Sequence, residues 1–362
     1  MSVPTVERVE QWLPVAVGDL TGALGDSVTV LPLVVALGAL TPASLAHVLV
    51  GFGVFQVVWG LRYGLPLSVE PMKALVGLAI AGTLTYGELV AAGLLAGIVL
   101  LVVGTTGTLS RVQTAVGQPV VRGVQFAVAL LLAQAGFDLA LGEPAVAAAG
   151  AALAGLVAVV GYRQAAALVV LAAGTVWTAA TVGVPTPALP AVSPFPAGGP
   201  TLTVGAVEGT LAQLAMTVGN AAVATSLLCA DLFDRDVSPD RLARSMGGMS
   251  LATVPLGGLP MCHGSGGLAG KYAFGARSGT ANLVLGVLYL AGALVAGLWL
   301  SFPMALLGTL LGVVAVQLGR VALDTDHLPL VGAMGLLAVA TDVGVAFLAG
   351  LCCWLVRERW LA

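Results

Sequence analysis

The stretch GGLPMCHGSGGLAGKYAFG, from Gly257 to Gly275, concentrates residues that could bind a ligand in a chain otherwise rich in Leu, Val, Ala and Gly. Pro260 prevents a regular helix at its start, and glycines let backbone N–H groups approach a ligand closely. Such donors, with the helix dipole, bind anions at a helix N-terminus. Tight helix packing also uses glycine, but it does not explain Pro, His and Ser at the same depth. We therefore predict an extended piece followed by a half-helix, with a substrate-binding segment that comprises Cys262, His263, Gly264, Ser265, Gly266 and Gly267.

A second stretch, YGLPLSVEPMKALVG from Tyr63, carries the same Gly-Leu-Pro motif at 64–66 that the first carries at 258–260, 194 positions later. We predict a matching extended piece and half-helix here, so that two helix N-termini meet at one site. Glu70 and Lys73 are spaced for an ion pair. Lys73 then either adds positive potential to an anion site or forms a plain structural pair. The substrate-binding residues expected in this segment are Ser68, Val69, Glu70 and Lys73.

The same offset relates two further segments, GDLTGALGDSVTVLPLVVAL (18–37) and AQLAMTVGNAAVATSLLCAD (212–231). Asp19 and Asp26 share one helix face, and the amides Gln213 and Asn220 take their places in the second copy. Amides can donate hydrogen bonds to oxyanion oxygens, whereas carboxylates can carry protons or cations. We expect Gln213 and Asn220 to contact substrate, and Asp19, Asp26 or Glu70 to couple transport to a cation, with Asp26 as first choice. A structural capping role for Asp26 is equally compatible with the sequence, and His263, at the place of Val69, either contacts substrate or only hydrogen-bonds locally.

The composition explains what must hold these residues. Of the 362 residues, 59% are hydrophobic and 9% are charged, whereas soluble domains carry about 25% charged residues. The net charge of −3 suggests no nucleic-acid partner, and the four cysteines lack metal-ligand spacing. Walker and Rossmann glycine patterns and a recognisable hydrolase motif are missing from the sequence. We therefore expect a membrane protein that is not an enzyme, with no catalytic residues, cofactor or metal, and with no soluble regulatory domain.

Fourteen hydrophobic segments can be drawn, because each crossing needs about 20 apolar residues. They start near residues 13, 39, 66, 87, 118, 143, 164, 205, 244, 260, 281, 302, 328 and 343. This count puts on one side of the membrane Arg8, Arg62, Arg111, Arg163, Arg235, Arg241, Arg244, Arg277, Arg320, Arg357 and Arg359. The positive-inside rule then predicts a multi-pass protein of the plasma membrane with both termini in the cytoplasm.

The offset of 194 indicates an internal repeat. Seven spans precede the second copy, and because seven is odd, the second copy crosses the membrane in the opposite sense. Inverted repeats of this kind, with matching interrupted helices, are typical of secondary transporters. We therefore predict an all-α polytopic fold with a first repeat at 1–194 (spans 1–7) and a second at 195–362 (spans 8–14).

Five segments carry a resemblance to a known family: GDLTGALGDSVTVLPLVVAL, SVEPMKA, QPVVRGVQ, GNAAVATSLLCADLF and LPMCHGSGGLAGKYAFGARSG. Together they resemble the molybdate transporter family related to the SulP sulfate permeases. The resemblance implies a seven-plus-seven inverted-repeat fold like that of the uracil permeases, with core and gate domains, and uptake of molybdate. It places the substrate between the two interrupted segments, with Asp26, Gln213 and Asn220 contributed by spans 1 and 8. Glu70 departs from the Gln expected in this motif.

The function that these observations favour is secondary active import of a tetrahedral oxyanion, with molybdate first and tungstate accepted. The alternatives are a sulfate permease, or an oxyanion channel that needs no coupling residue. Each charge moved inward against the membrane potential costs about 2.3 kcal/mol per 100 mV, so a dianion calls for a coupling cation, for which the proton is our first choice. The remaining expected partner is the lipid bilayer, and a homodimer is compatible with the sequence.

Overall fold

The computed structural model describes residues 17–109 and 117–361, and most of these residues are helical. Arg8, Arg111 and the predicted start of the first span near residue 13 lie outside this part of the chain. The first half contains α1 (Val17–Leu40), α2 (Leu45–Tyr63), β1 (Glu70–Pro71), α3 (Lys73–Ile80), α4 (Tyr86–Thr106), α5 (Gln118–Gly142), α6 (Pro144–Val159) and α7 (Ala166–Val182).

The second half repeats this order. It contains α8 (Val204–Phe233, with a π-helical part over Thr217–Ala224), α9 (Pro239–Thr253), β2 (Met261–Cys262), α10 (Ser265–Ala273), α11 (Thr280–Leu294), α12 (Met304–Ala322), α13 (Leu328–Ala340) and α14 (Val343–Leu361). The described residues therefore hold fourteen α-helices, if α8 is counted as one. Of the helices in this part of the chain, seven are long and apolar enough to cross a membrane by themselves. The prediction of an all-α membrane fold is confirmed.

Most of the predicted starts agree with the helices, and the exceptions have local causes. The helix α2 begins at Leu45 rather than near residue 39, because α1 continues to Leu40 and Pro42 follows. The helix α9 begins at Pro239 rather than near 244. Its first turn is polar, which hides it from a hydropathy reading, and the side chain of Ser238 caps it by accepting a hydrogen bond from the Arg241 amide.

The two interrupted segments lie side by side. Strands β1 and β2 pair in antiparallel fashion, with Glu70 opposite Cys262 and Pro71 opposite Met261. Continued by one residue, this register sets Val69 opposite His263, and these two residues are counterparts at the offset of 194. The half-helices α3 and α10 follow directly on these strands. Both predicted extended pieces and both predicted half-helices are therefore present.

Helices of the first half pack on helices of the second half, and each such contact recurs between the counterparts of the two helices. The helix α2 packs on α11 and its counterpart α9 packs on α4, while α1 packs on α10 and its counterpart α8 packs on α3. The pair α5 and α12, which are counterparts of each other, also pack together. This pattern supports the inverted repeat inferred from the sequence, and the boundary at 194/195 stays a prediction.

Candidate functional site

A cavity of about 630 Å³ lies between the two half-helices and is bordered by α1, α5, α8 and α12. It contains most of the side chains that the sequence singled out. The predicted residues that line it are Glu70, Lys73, Gln213, Asn220, Cys262, Gly264, Ser265, Gly266 and Gly267.

Three other predicted residues lie behind the cavity wall. Ser68, Val69 and His263 are each fully buried and are not among the lining residues. The Nδ1 atom of His263 lies 2.8 Å from the Ser68 carbonyl oxygen, and it is the donor because a carbonyl can only accept. The Nε2 atom of the same ring lies 2.7 Å from the hydroxyl of Ser245. Both ring nitrogens are therefore engaged in local contacts, the alternative that the sequence left open for His263.

The N-terminus of α10 is the part of the cavity wall best suited to an anion. The first N–H groups of a helix have no partner inside the helix, and the amides of Gly266 and Gly267 have no acceptor among the described residues. The Ser265 hydroxyl donates to the Asn220 amide oxygen over 2.6 Å. A Cβ atom at Gly266 would meet nothing within 4 Å, so this residue faces open space in the cavity.

The N-terminus of α3 is different from that of α10. The side-chain oxygen of Gln213 accepts hydrogen bonds from the amides of Ala74 at 2.9 Å and Leu75 at 3.4 Å. The Gln213 amide nitrogen donates to Thr217 over 2.8 Å. Gln213 therefore caps α3. Both ends of its side-chain amide are engaged within the protein, and its predicted contact with the substrate would have to replace the hydrogen bond to Thr217.

Glu70 and Lys73 form the ion pair that their spacing predicted. The carboxylate and ammonium are 2.6 Å apart, and the Lys73 side chain keeps 18% of its surface exposed while Glu70 keeps 2%. The Glu70 carboxyl group packs directly on α10, since a Cβ at Gly264 would lie 2.4 Å from it and a Cβ at Gly267 would lie 2.0 Å from its Oε1. Glycine is required at both positions because the carboxyl group of the opposite segment occupies the space.

Ser68 joins Glu70 to Asp26. Its hydroxyl oxygen lies 2.8 Å from Glu70 Oε1 and 2.9 Å from Asp26 Oδ1. A hydroxyl group carries one proton, so it can donate to only one of these two carboxyl groups at a time. The other contact is a hydrogen bond only if that carboxyl group itself carries a proton.

Asp26 belongs to a buried network that sequence reasoning missed. Its Oδ2 atom lies 3.2 Å from the Lys271 ammonium, and both side chains are fully buried. The same oxygen accepts from the Gln56 amide at 3.0 Å and from the Val69 N–H at 3.4 Å. The signal was present in the sequence, because the chain has only two lysines, Lys73 and Lys271, and both fall in the interrupted segments.

Asp19 lies apart from this network. Its carboxylate accepts hydrogen bonds from the amides of Arg277 at 2.9 Å and Ser278 at 3.1 Å, and from the Ser278 hydroxyl at 2.8 Å. These contacts tie α1 to the loop before α11. Asp19 is not among the residues that line the cavity, and its coupling role stays a prediction.

At its other end the cavity reaches Arg163 and Arg320, together with Gln164 and Gln317. Both arginines are exposed, and neither forms an ion pair within the described ranges. Cations at both ends of the path favour an anionic occupant.

Comparisons with known proteins show which family and fold the chain is similar to. A family model described as "Molybdate transporter of MFS superfamily" matches residues 18–132 and 205–318. "Molybdate transporter 2" of Arabidopsis thaliana is 28% identical over 367 residues, which cover 85% of this chain and 79% of that protein. "Molybdate transporter 1" of Chlamydomonas reinhardtii is 27% identical, over 96% of this chain and 92% of that protein.

Two solved structures share the fold. The transmembrane domain of a cyanobacterium bicarbonate transporter, BicA, superposes with a TM-score of 0.67 at 17% identity and covers 93% of this chain and 96% of that one. The murine Slc26a9 anion transporter in the inward-facing state gives a TM-score of 0.70 at 13% identity, over 100% of this chain and 73% of that one.

Proposed function

The chain belongs to the molybdate transporter family, whose model covers more than half of it, and we propose that it is a secondary active transporter that imports molybdate together with protons. The family and the fold support anion transport rather than an enzyme activity. The observation that carries the finer proposal is that one cavity is lined both by Lys73 and by the first residues of α10, a helix without a side-chain cap.

Lys73 and the amides of α10 suit a tetrahedral dianion. Backbone N–H groups at a helix N-terminus bind oxyanion oxygens without a change of protonation, and the ammonium group adds a charge-assisted hydrogen bond. The described wall has no aromatic side chain near the two interrupted segments apart from Phe274, so a planar organic anion would find little to stack on. Tungstate shares the size and charge of molybdate and is expected to compete with it.

The contacts around Ser68 support a proton as the coupling ion. Asp26 is surrounded by four donors, namely Ser68, Gln56, the Val69 amide and Lys271, and such a carboxyl group is best satisfied when ionised. Glu70 lines the cavity and has fewer donors, since Ser68 and Lys73 are the groups within hydrogen-bonding distance of its carboxyl oxygens in the described residues. We therefore assign the proton to Glu70, although the sequence placed Asp26 first.

A proton on Glu70 also changes what Lys73 can bind. In the ion pair, the ammonium is neutralised by the Glu70 carboxylate at 2.6 Å. A neutral Glu70 can donate to Ser68, which in turn donates to Asp26, and it no longer holds Lys73 by charge. Lys73 is then available for the oxyanion, so the proton and the anion favour each other's binding, as linkage requires. Besides Lys73, the charged groups around Glu70 are Asp26 from α1 and Lys271 from α10.

The test is uptake of labelled molybdate by sealed vesicles that contain the purified protein, with an inward proton gradient. We expect accumulation above the external concentration, inhibited by tungstate more strongly than by sulfate. Equilibration without accumulation would identify a channel instead. Stronger competition by sulfate than by tungstate would identify a sulfate permease.

The proposal includes the orientation inferred from the arginines, with both termini in the cytoplasm of a cell whose plasma membrane holds the protein. In that orientation the end of the cavity at Arg163 and Arg320 faces inward. Single cysteines in the 185–204 segment, placed in a background without native cysteines, should react with an impermeant thiol reagent from outside. Labelling only after permeabilisation would reverse the orientation.

A further inference from the structure

The ammonium group of Lys271 is held by oxygen atoms alone. It lies 2.8 Å from Asn282 Oδ1, 3.0 Å from Gln56 Oε1, 3.2 Å from Asp26 Oδ2 and 3.5 Å from the Leu67 carbonyl oxygen. The Lys271 side chain is fully buried, and so are Gln56, Asn282 and Asp26. The ammonium is therefore a fully buried cation enclosed by protein oxygens.

These oxygens come from four separate parts of the fold. Asp26 lies on α1, Gln56 on α2 and Asn282 on α11, while Leu67 lies in the extended backbone before β1. The shell is also braced from outside, because the Asn282 amide donates to the Leu67 carbonyl over 2.6 Å and the Gln56 amide donates to the Asp26 carboxylate. Its geometry therefore does not depend on the lysine alone.

A carboxylate, two amide oxygens and an unwound backbone carbonyl form a ligand set for a hard cation. Such cations prefer carboxylate and carbonyl oxygens, and transporters with interrupted helices coordinate co-transported cations through unwound backbone carbonyls. Replacement of a buried ion pair by apolar residues of the same volume is, by contrast, often neutral or stabilising. Stability alone thus does not explain a lysine at this place.

We propose that the Lys271 ammonium is a built-in cation that takes the position of a mobile monovalent cation, and that it makes transport by this chain independent of Na⁺ and K⁺. The part of this inference that concerns transport rests on the proposed function. The part that concerns the oxygen shell does not. Removal of the ammonium with retention of Asp26 should leave an open site for Na⁺ or K⁺.

The shell is tested on purified protein by the melting temperature in increasing NaCl, with choline chloride at equal ionic strength as reference. Lys271→Ala should gain stability with Na⁺ in a saturable manner, whereas the wild type should not respond. Two matched controls should also show no response: the double variant Asp26→Asn/Lys271→Ala, which lacks the carboxylate of the shell, and Lys73→Ala, which removes the other lysine of the chain. A Lys271→Ala protein that does not respond to Na⁺, Li⁺ or K⁺ overturns the proposal, and so does an equal response in the double variant.

If Lys271→Ala does not fold, the proposal is tested by transport measurements on the wild type. Molybdate uptake into vesicles at constant pH should be unchanged when Na⁺ and K⁺ are replaced by choline, and uptake that requires Na⁺ or K⁺ contradicts the built-in cation. Where Lys271→Ala does fold, its melting temperatures decide on the oxygen shell alone, so a wild type that transports no oxyanion at all would refute the proposed function and leave the test of the shell intact.

Discussion

The two interrupted segments are counterparts in sequence and direct neighbours in space, yet they do different work. At the offset of 194, Glu70 corresponds to Gly264 and Lys73 corresponds to Gly267. The first segment thus supplies charged side chains, and the second supplies backbone and space. A Cβ at Gly264 or Gly267 would collide with the Glu70 carboxyl group. The position of this carboxyl group in one half therefore requires glycine at both positions of the other half.

The flanking helices diverge in the same way. Gln213 caps α3, whereas its counterpart Asp19 binds the loop before α11 and leaves the N-terminus of α10 free. Asp26 anchors Lys271, whereas its counterpart Asn220 accepts from Ser265 beside the cavity. Two segments with one repeated sequence pattern therefore give one wall with charged side chains and one wall of backbone donors.

The largest effect is expected where the two walls touch. In Gly267→Ala the new Cβ would lie 2.0 Å from Glu70 Oε1, 2.3 Å from Ser68 Oγ and 2.6 Å from Asp26 Oδ1. These atoms are held by Lys73 and Lys271, and overpacking of this kind costs about 1–3 kcal/mol. We expect loss of molybdate uptake and a lower melting temperature.

The neighbouring Gly266→Ala is the matched control for this substitution. Its Cβ would project into open space, so the melting temperature should stay at the wild-type value. The larger Gly266→Val should lower molybdate affinity while the protein remains folded, because it narrows the cavity at the anion-binding end. Equal melting temperatures for Gly267→Ala and Gly266→Ala would show that the close packing of Gly267 on Glu70 does not contribute to the stability of the protein.

A smaller effect is expected from Lys73, the charge at the proposed anion site. Lys73→Gln keeps a donor but loses the ammonium, and a hydrogen bond to a charged group contributes about 1.5–3 kcal/mol. We expect molybdate affinity to fall about 10- to 100-fold, measured by binding to purified protein. Wild-type affinity in this variant would mean that Lys73 is only the structural partner of Glu70.

The smallest effect on transport is expected from Asp19. Asp19→Ala leaves the amides of Arg277 and Ser278 without their acceptor, and loss of a hydrogen bond to a charged group costs about 1.5–3 kcal/mol. We expect a lower melting temperature with an unchanged dependence of molybdate uptake on the pH gradient. Loss of that dependence at full stability would instead make Asp19 a coupling residue.

How far the sequence could predict this arrangement depends on the kind of information involved. Apolar length and the prolines were enough for the helices and the two interruptions, because each crossing imposes its own local requirement. The repeated Gly-Leu-Pro motif predicted that the interruptions meet. The partner of Asp26 was not predictable, because Lys271 is 245 positions away and only the packing of α1 on α10 brings the two together. The same packing shows that Gly264 and Gly267 make room for Glu70, a contact that no local pattern encodes.

We expect Glu70 to carry the proton that enters with molybdate. This expectation is tested most directly by proton movement in vesicles that hold a pH-sensitive dye and whose membrane potential is clamped. Addition of molybdate outside should acidify the lumen for the wild type, with an affinity that rises as the external pH falls. Glu70→Gln cannot bind this proton, so it should still exchange labelled molybdate but should not acidify the lumen, and its affinity should not depend on pH. Acidification by Glu70→Gln at the wild-type rate, or wild-type uptake without proton movement, would contradict proton transport through Glu70.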